Sequence, residues 1–171
     1  MAMELISVQG LWPLARRIPW LIGLLARWYF TADRLAGLVY VDVFPRHEST
    51  RLDLATLASF QVHLQLINLS PFELELEQAN FHLWCGGVKL DAIVLKKERI
   101  SSGVSKSLFI SGSINDAQAK QIALLHGKNS TSLDGNIEFK CNVRSFAKQV
   151  GQLSAIQTVV INDAHRIAKV E

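Results

Sequence analysis

The sequence predicts a mainly β protein: an antiparallel β-sandwich with one short helix, preceded by one or two hydrophobic N-terminal helices. Over most of residues 39–162, apolar and polar side chains alternate, which is the period of strands with one buried and one wet face. Short clusters of Gly, Asn, Ser and Pro separate these runs, as in all-β sandwiches. We therefore divide the chain into an N-terminal helical segment (1–38), the sandwich (39–162) and a tail (163–171).

The N-terminal segment contains LWPLARRIPWLIGLLARWYF, from Leu11 to Phe30, and charges interrupt it too often for a simple membrane span. A spanning helix needs about 20 mostly apolar residues. The longest uncharged run, Ile18–Ala26, covers only roughly 14 Å as a helix that rises about 1.5 Å per residue. Extending the run to Val41 adds three charged side chains. Each charge near the bilayer centre costs about 2.5–3.5 kcal/mol.

We expect one or two short helices instead, because Pro13 and Pro19 suit helix starts rather than helix interiors. These helices, over Leu11–Arg17 and Pro19–Ala36, are expected to lie in or dip into a membrane face as an interfacial anchor. A cleaved secretory signal is not expected. Such signals begin with basic residues, whereas MAMELISVQG carries Glu4, and no A-x-A site follows the apolar run.

Aromatic and basic side chains of this segment are the candidate membrane-interface residues. Amphipathic aromatic rings favour the headgroup level of a bilayer, and arginines attract anionic lipids. The candidates are Trp12, Arg16, Arg17, Trp20, Arg27, Trp28, Tyr29 and Arg34. Three other placements stay open: a full span, packing on a partner protein, and packing over the chain's own sheet. The side of the membrane and the compartment also stay open, since arginines lie on both sides of the apolar run.

The first half of the body predicts two hairpins. Residues 60–66 and 72–76 alternate around the turn Asn68-Leu69-Ser70-Pro71, whose residue types suit a tight reversal. The pair Gly86-Gly87 supplies the positive φ values of a primed hairpin turn, and Val88–Leu95 is the expected return strand.

The second half of the body predicts further strands and the one short helix. Gly112 is expected at a bulge or a close approach, because glycine inside a strand marks such places. Every second residue from Ile137 to Val143, including Cys141, is expected to face inward. The expected elements are a charged edge or loop at Lys96–Arg99, a strand over Val104–Ile114, a helix from Asn115-Asp116 to near Gly127, a strand over Ser132–Arg144 and a last strand over Ala155–Ile161.

Several of these stretches resemble the late embryogenesis abundant (LEA) type 2 domain, also called the water stress and hypersensitive response (WHy) domain. They are FQVHLQLINLSPFELELEQANFHLWCGGVKL, ISSGVSKSLFISGSI and SLDGNIEFKCNV, in which Gly135 stands at the family's Gly position. The likeness covers about Val39–Val150, and it departs from the family where Leu69 and Ser70 separate Asn68 from Pro71.

The resemblance implies an immunoglobulin-like or fibronectin-like β-sandwich, often behind a hydrophobic N-terminal segment. It also implies a protein that is not an enzyme and that serves stress tolerance, protection or binding at proteins and membranes. No catalytic residues accompany the domain, so none is transferred to this chain.

Composition and motifs predict no catalytic, cofactor or metal site. The net charge of +3 is too weak for a nucleic-acid partner. Glu73, Glu75 and Glu77 follow one strand face, where the expected role is a solvated surface. The five histidines have no ligand spacing. Whether Cys85 and Cys141 pair is open, since pairing depends on geometry.

Three functions remain. The first is a membrane-associated, non-catalytic sandwich that acts as an accessory or scaffold subunit, or as a protein-binding module, with a protein partner or a second copy of itself. The second is a carrier of lipid or small apolar ligands, although Phe60, Phe72 and Phe139 are expected to fill the space between the sheets. The third is a soluble stress-protective protein whose N-terminal segment folds onto its own sheet.

Overall fold

The computed structural model describes residues 19–44, 49–55, 57–125, 130–154 and 156–162, and for residues 19–22 it describes the backbone. Within these residues the chain forms two five-stranded sheets and three helices. The first sheet contains β1 (Val39–Val43), β2 (Thr50–Asp53), β3 (Ser59–Asn68), β7 (Ser105–Ser113) and β10 (Thr158–Ile161). The second contains β4 (Leu74–Cys85), β5 (Val88–Val94), β6 (Glu98–Ile100), β8 (Ser132–Lys140) and β9 (Ser145–Leu153). The helices are α1 (Pro19–Tyr29), α2 (Ala32–Gly37) and α3 (Asp116–Leu125).

One long strand organises each sheet. In the first sheet, β3 pairs with β7 on one side and with β1 and β2 on the other, and β10 extends the sheet beyond β2. In the second sheet, β4 pairs with β8 on one side and with β5 and β6 on the other, and β9 follows β8. These pairings are antiparallel apart from that of β2 with β10. The predicted mainly β sandwich is confirmed.

Alternation builds the core between the sheets. Every second residue of β3 is buried, from Phe60 to Asn68, as the sequence pattern predicts. Phe60, Phe81 and Phe139 are among the largest fully buried side chains. Gly112 lies opposite Phe60, and a Cβ atom there would overlap the Phe60 ring. The close approach predicted at Gly112 is therefore confirmed.

The predicted Gly86-Gly87 hairpin turn and the predicted helix cap at Asn115 are also confirmed. Gly86 and Gly87 have φ values of 57° and 75°, as a primed turn between β4 and β5 requires. At the start of α3, the Asn115 side-chain oxygen accepts a hydrogen bond from the Gln118 amide at 2.8 Å. The Gln118 side chain in turn accepts from the Asn115 amide at 3.1 Å, which completes a capping box.

The strand predicted over Ser132–Arg144 is wrong in its second part. β8 ends at Lys140, and a turn then leads into β9, which the sequence did not predict. The Cys141 amide closes that turn by donating to the Arg144 carbonyl at 3.1 Å. Cys141 therefore lies in a turn and not in a strand, and its partly buried side chain packs against the core. The charged stretch before Ile100 contributes β6, a short strand paired with β4.

The two cysteines do not pair. Cys85 ends β4 and Cys141 follows the end of β8, and because these strands are antiparallel neighbours the two thiols lie at opposite ends of the second sheet. Burial raises the pKa of the Cys85 thiol above its ordinary value, against the opposing effect of its hydrogen bond with Thr131. The question of a disulfide within this chain is thereby answered.

The antiparallel registers place the connecting segments at two opposite ends of the sandwich. One end, which we call the α1 end, holds α1, α2 and the turns 69–73, 101–104 and 141–144. The other, the α3 end, holds α3 and the turns 54–58 and 86–87.

Candidate functional site

The α2 helix and the residues next to it belong to the body of the protein. Leu35 is fully buried in the core, and Ala32 and Ala36 pack against that core. The helix starts at the N-cap Thr31, whose hydroxyl accepts from the Arg34 amide at 3.3 Å. Sequence reasoning placed one helix over Pro19–Ala36, whereas the structure divides it in two around Phe30 and Thr31.

The α1 helix rests on the body through a narrow stripe. Ala26, in its C-terminal half, and Phe30, directly after its end, are partly buried. The Phe30 ring meets the Phe72 ring edge to face, with 4.9 Å between centroids. The Arg144 guanidinium donates to the Arg27 carbonyl. A groove of about 510 Å³ separates this part of α1 from Phe72, Asn142 and Val143.

Four other residues in the C-terminal half of α1 are apolar and face solvent. Trp28 is 78% exposed, and Leu24, Leu25 and Tyr29 are each more than half exposed. Successive helix residues lie about 100° apart, so these four side chains fill an arc of about 140° on the side away from Phe30. We call these four residues the α1 arc. A contiguous apolar surface of this kind, exposed to water, is uncommon in soluble domains and marks interaction sites.

Arginines border the α1 arc on both sides. Arg34 reaches over the Tyr29 ring, with its guanidinium carbon 4.8 Å from the ring centroid, and donates to the Tyr29 carbonyl at 2.9 Å. Arg27 is exposed on the other border, about 60° from Leu24 around the helix. Basic residues beside an apolar arc are typical of helices that lie in a membrane interface.

The predicted interface residues fall partly outside the described structure. Trp12, Arg16 and Arg17 lie outside the described residues, as does the helix expected over Leu11–Arg17. Trp20 lies near the start of α1. The structure brings Arg27, Trp28, Tyr29 and Arg34 together on one surface. Within the described residues, none of the helices has the length and apolar character to cross a bilayer.

The carboxylates and histidines noted in the sequence make surface contacts. Glu73 and Glu75 lie 3.9 and 3.5 Å from the Arg99 guanidinium. His82 lies 2.6 Å from Asp91, and this hydrogen bond, followed by that of Lys89, lowers the pKa of the Asp91 carboxyl. Across the part of the chain that the structure describes, no three His, Cys, Asp or Glu side chains converge as metal ligands. His47, His126 and His165 lie outside that part.

Sequence reasoning missed two exposed apolar residues at the α1 end. Leu69 is 60% exposed at the tip of the turn after β3, and Val104 is 45% exposed in the turn before β7. Both sit within otherwise polar turn sequences, NLSP and SSGVS. The sequence signal for each was an apolar residue inside a predicted turn. That signal is weak, because single exposed apolar residues are common on protein surfaces.

No family model and no curated protein matches the sequence. Solved structures do match. The X-ray structure of the Northeast Structural Genomics Consortium target SoR45 aligns with a TM-score of 0.51 and 11% identity, over 72% of this chain and 89% of that chain. The putative ApaA protein from Bordetella pertussis has a TM-score of 0.47 and 8% identity, over 70% and 93%. A putative LEA protein has a TM-score of 0.39 and 13% identity, over 90% and 92%.

At these identities the first likeness shows a shared fold, and the other two are recorded as likenesses alone. One of the solved structures similar to this chain is described as a putative LEA protein. The fold that the resemblance of the strands implies, a β-sandwich behind an apolar helical segment, is the fold observed.

Proposed function

We propose that this chain is a non-catalytic β-sandwich protein of the LEA type 2 kind that acts in stress tolerance as a soluble domain, by surface contact with other molecules. The resemblance of its strands to that family and its observed fold support the proposal. A protective protein of this type needs a stable fold and an adaptable surface, and it needs no reaction centre.

The observation that carries the proposal is the packing of residues 30–38 on the body. Leu35 is fully buried, and Phe30 packs edge to face on Phe72. This part of the N-terminal segment is built into the domain, as expected for a protein that folds onto its own sheet. Burying a leucine of this kind contributes roughly 1.5–3 kcal/mol.

The test measures the solution state first and protection second. The full chain, purified without detergent, should elute as a monomer by light scattering. It should then preserve the activity of lactate dehydrogenase through drying and rehydration better than an equal mass of an unrelated immunoglobulin domain. Aggregation without detergent, or protection no better than that of the control domain, would count against the proposal.

A second candidate is peripheral membrane binding through the α1 arc, favoured by the exposure of Trp28 between two arginines. Burying each large apolar side chain contributes roughly 1.5–3 kcal/mol. The four residues of the α1 arc would bury further apolar area in a bilayer interface, and the strength of interfacial binding increases with that area. The two candidates are compatible, since a domain that is soluble alone can still bind a membrane surface.

Vesicle flotation tests this second candidate. The full chain should float with vesicles of phosphatidylcholine and phosphatidylserine, and the variant Leu24→Ser/Leu25→Ser/Trp28→Ser should not. The matched control is Ile93→Ser/Leu95→Ser, which removes apolar residues of similar exposure from the second sheet. A full chain that stays at the bottom of the gradient, or equal loss in the control, would contradict membrane binding through the arc.

The lipid-carrier hypothesis gains no support from the packing. Phe60, Phe81 and Phe139 are fully buried between the sheets and fill the space that a ligand would need. A role as accessory or scaffold subunit would use the same α1 arc against a protein. Dimerisation that depends on Trp28, without vesicle binding, would favour that role.

A further inference from the structure

Besides the α1 arc, two turn tips at the α1 end expose apolar side chains: Leu69 is 60% exposed and Val104 is 45% exposed. Tyr40, on β1 near the same end, is 50% exposed. At the α3 end, among the described residues, the comparable side chains are Leu57 at 90%, Leu124 at 54% and Trp84 at 41%.

The two turn tips are held rigidly, so their exposure is built into the fold. The Leu69 amide donates to the Leu38 carbonyl at 2.9 Å, which fixes the first turn to the end of α2. The Asn68 amide donates to the Val104 carbonyl at 3.1 Å, and the Gly103 amide donates to the Asn68 carbonyl at 2.7 Å. The tips are therefore tied to each other and to the segment that carries α1.

We propose that the α1 end is a single lipid-contacting surface, in which Leu69 and Val104 enter the same anionic bilayer interface as the α1 arc. The inference rests on the membrane-binding candidate and extends it from one helix to three chain segments.

Charge favours an anionic membrane as the occupant. The helices and the turn beneath them carry Arg27, Arg34 and Arg144 against Asp33. Farther along this end, Arg99 lies 3.9 and 3.5 Å from Glu73 and Glu75, and Lys106 lies 3.1 Å from Glu98, so these groups add no positive charge beside the turn tips. The unpaired positive charge thus lies beside the α1 arc, where juxtamembrane arginines gain about 1 kcal/mol each near an anionic surface.

The shape of the surface favours a bilayer over a protein partner. The apolar side chains come from three separate segments and stand among polar turn residues such as Ser102 and Ser105. A specific protein interface has a contiguous, well-packed apolar centre. A fluid interface needs no such complementarity and accommodates separate apolar projections.

The first experiment compares two double variants of the full chain in vesicle binding. Leu69→Ser/Val104→Ser should bind vesicles of phosphatidylcholine with phosphatidylserine at least about tenfold more weakly than the wild type, since two exposed apolar side chains are lost. Leu57→Ser/Leu124→Ser removes two apolar side chains from the α3 end and should bind as the wild type does. Wild-type binding should weaken without phosphatidylserine and in high salt. Thermal melting of each variant confirms that it is folded.

The second experiment reports the position of a turn tip directly. An environment-sensitive nitrobenzoxadiazole label is attached at Leu69→Cys in a Cys141→Ser background, in which buried Cys85 stays unlabelled. Its emission should shift to the blue when the anionic vesicles are added. The same label at Leu57→Cys should keep its aqueous emission.

The outcomes separate this inference from the candidate on which it rests. If the wild type binds neither vesicle, membrane binding itself is wrong and the inference falls with it. A second outcome is that the wild type binds and the variant Leu24→Ser/Leu25→Ser/Trp28→Ser does not. If the Leu69/Val104 variant then binds as the wild type does, and the label at residue 69 keeps its aqueous emission, membrane binding through α1 stands and the single-surface inference is overturned. Equal weakening in the Leu57/Leu124 control overturns it as well.

Discussion

The two ends of the sandwich each carry a helix, and the helices treat their apolar residues in opposite ways. At the α3 end, α3 has polar and apolar residues and places two of its apolar residues, Ala119 and Ile122, in the buried core, while Leu124 is exposed. At the α1 end, α1 is mostly apolar and leaves Leu24, Leu25 and Trp28 in solvent. The core is closed by α2 beside it, so α1 adds little burial. An apolar helix that its own fold leaves uncovered is available for an external contact.

The turns at the two ends are also stabilised in different ways. The hairpin at the α3 end depends on backbone freedom at Gly86 and Gly87. The turn after β3 depends on a buried side chain, because Asn68 is 1% exposed and bonds several groups around it. A turn fixed from inside can carry an exposed apolar residue such as Leu69 at its tip without loosening.

The largest expected effect tests whether α2 belongs to the domain. Leu35→Ala removes a fully buried side chain and should lower the free energy of unfolding by about 3 kcal/mol, within the range for buried leucines. Leu24→Ala, at an exposed site of α1, should change it by less than about 0.5 kcal/mol. Urea unfolding followed by circular dichroism measures both. Equal effects would remove the distinction between α2 and α1.

The burial of Leu35 also determines where the chain can be truncated to remove α1 without destabilising the domain. A chain that starts at Val39 loses Leu35 and the Phe30 contact, so its behaviour would mix anchoring with stability. A chain that starts at Phe30 keeps both and removes α1. It should remain folded and fail to bind vesicles if the second candidate function is correct.

The next effect compares the two ends through two asparagines. The Asn68 amide nitrogen donates to the Phe72 and Ile100 carbonyls at 2.7 and 3.0 Å, and its oxygen accepts from the Ser70 amide at 2.9 Å. Asn68→Ala removes the partner of the Ile100 carbonyl and of the Ser70 amide, and leaves the Phe72 carbonyl with the Ser70 hydroxyl alone. It should cost about 3 kcal/mol of unfolding free energy. Asn115→Ala removes an exposed cap and should cost about 1 kcal/mol.

Urea titrations of the two variants under identical conditions provide the measurement. Asn68→Asp keeps the size of the side chain and loses its donor, so it should also destabilise the protein by more than Asn115→Ala does. If Asn115→Ala proves the more harmful change, the α1 end is not held by its buried amide.

Much of the body could be predicted because its signals are local. Alternation identified β3 and β4, and the residue types identified the Gly86-Gly87 hairpin and the Asn115 cap. β9 was missed because its buried residues, Phe146 and Val150, are four apart and give no two-residue period. The turn before it contains neither Gly nor Pro, so nothing in the sequence interrupted the preceding strand.

The candidate site was less predictable because its geometry depends on distant contacts. Sequence composition selected Arg27, Trp28, Tyr29 and Arg34, yet every side of α1 is largely apolar, so periodicity could not show which side meets the body. That depends on Phe30 meeting Phe72, 42 positions later in the chain. Contacts over such a separation leave no local signal.

The smallest effect concerns an ion cluster that joins the two sheets beside the α1 end. Glu98 on β6 is bonded by Lys96, and its other oxygen lies 3.1 Å from the Lys106 ammonium on β7. These bonds, that of Lys96 first and that of Lys106 next, lower the pKa of the Glu98 carboxyl, although burial opposes them. Glu98→Gln should reduce the free energy of unfolding at pH 7 by about 0.5–1 kcal/mol, since both lysines are partly exposed.

The pH dependence identifies the origin of that difference. Because the pKa of Glu98 is lower in the folded protein than in the unfolded chain, its contribution is complete above the unfolded value and is lost as pH falls through the folded value. The gap between wild type and Glu98→Gln, measured in urea from pH 7 downward, should hold to about pH 5 and then close. If the difference in unfolding free energy between wild type and Glu98→Gln persists in acid, Glu98 acts through packing. The α1 end would then depend on the buried Asn68 side chain and on core contacts rather than on this ion cluster.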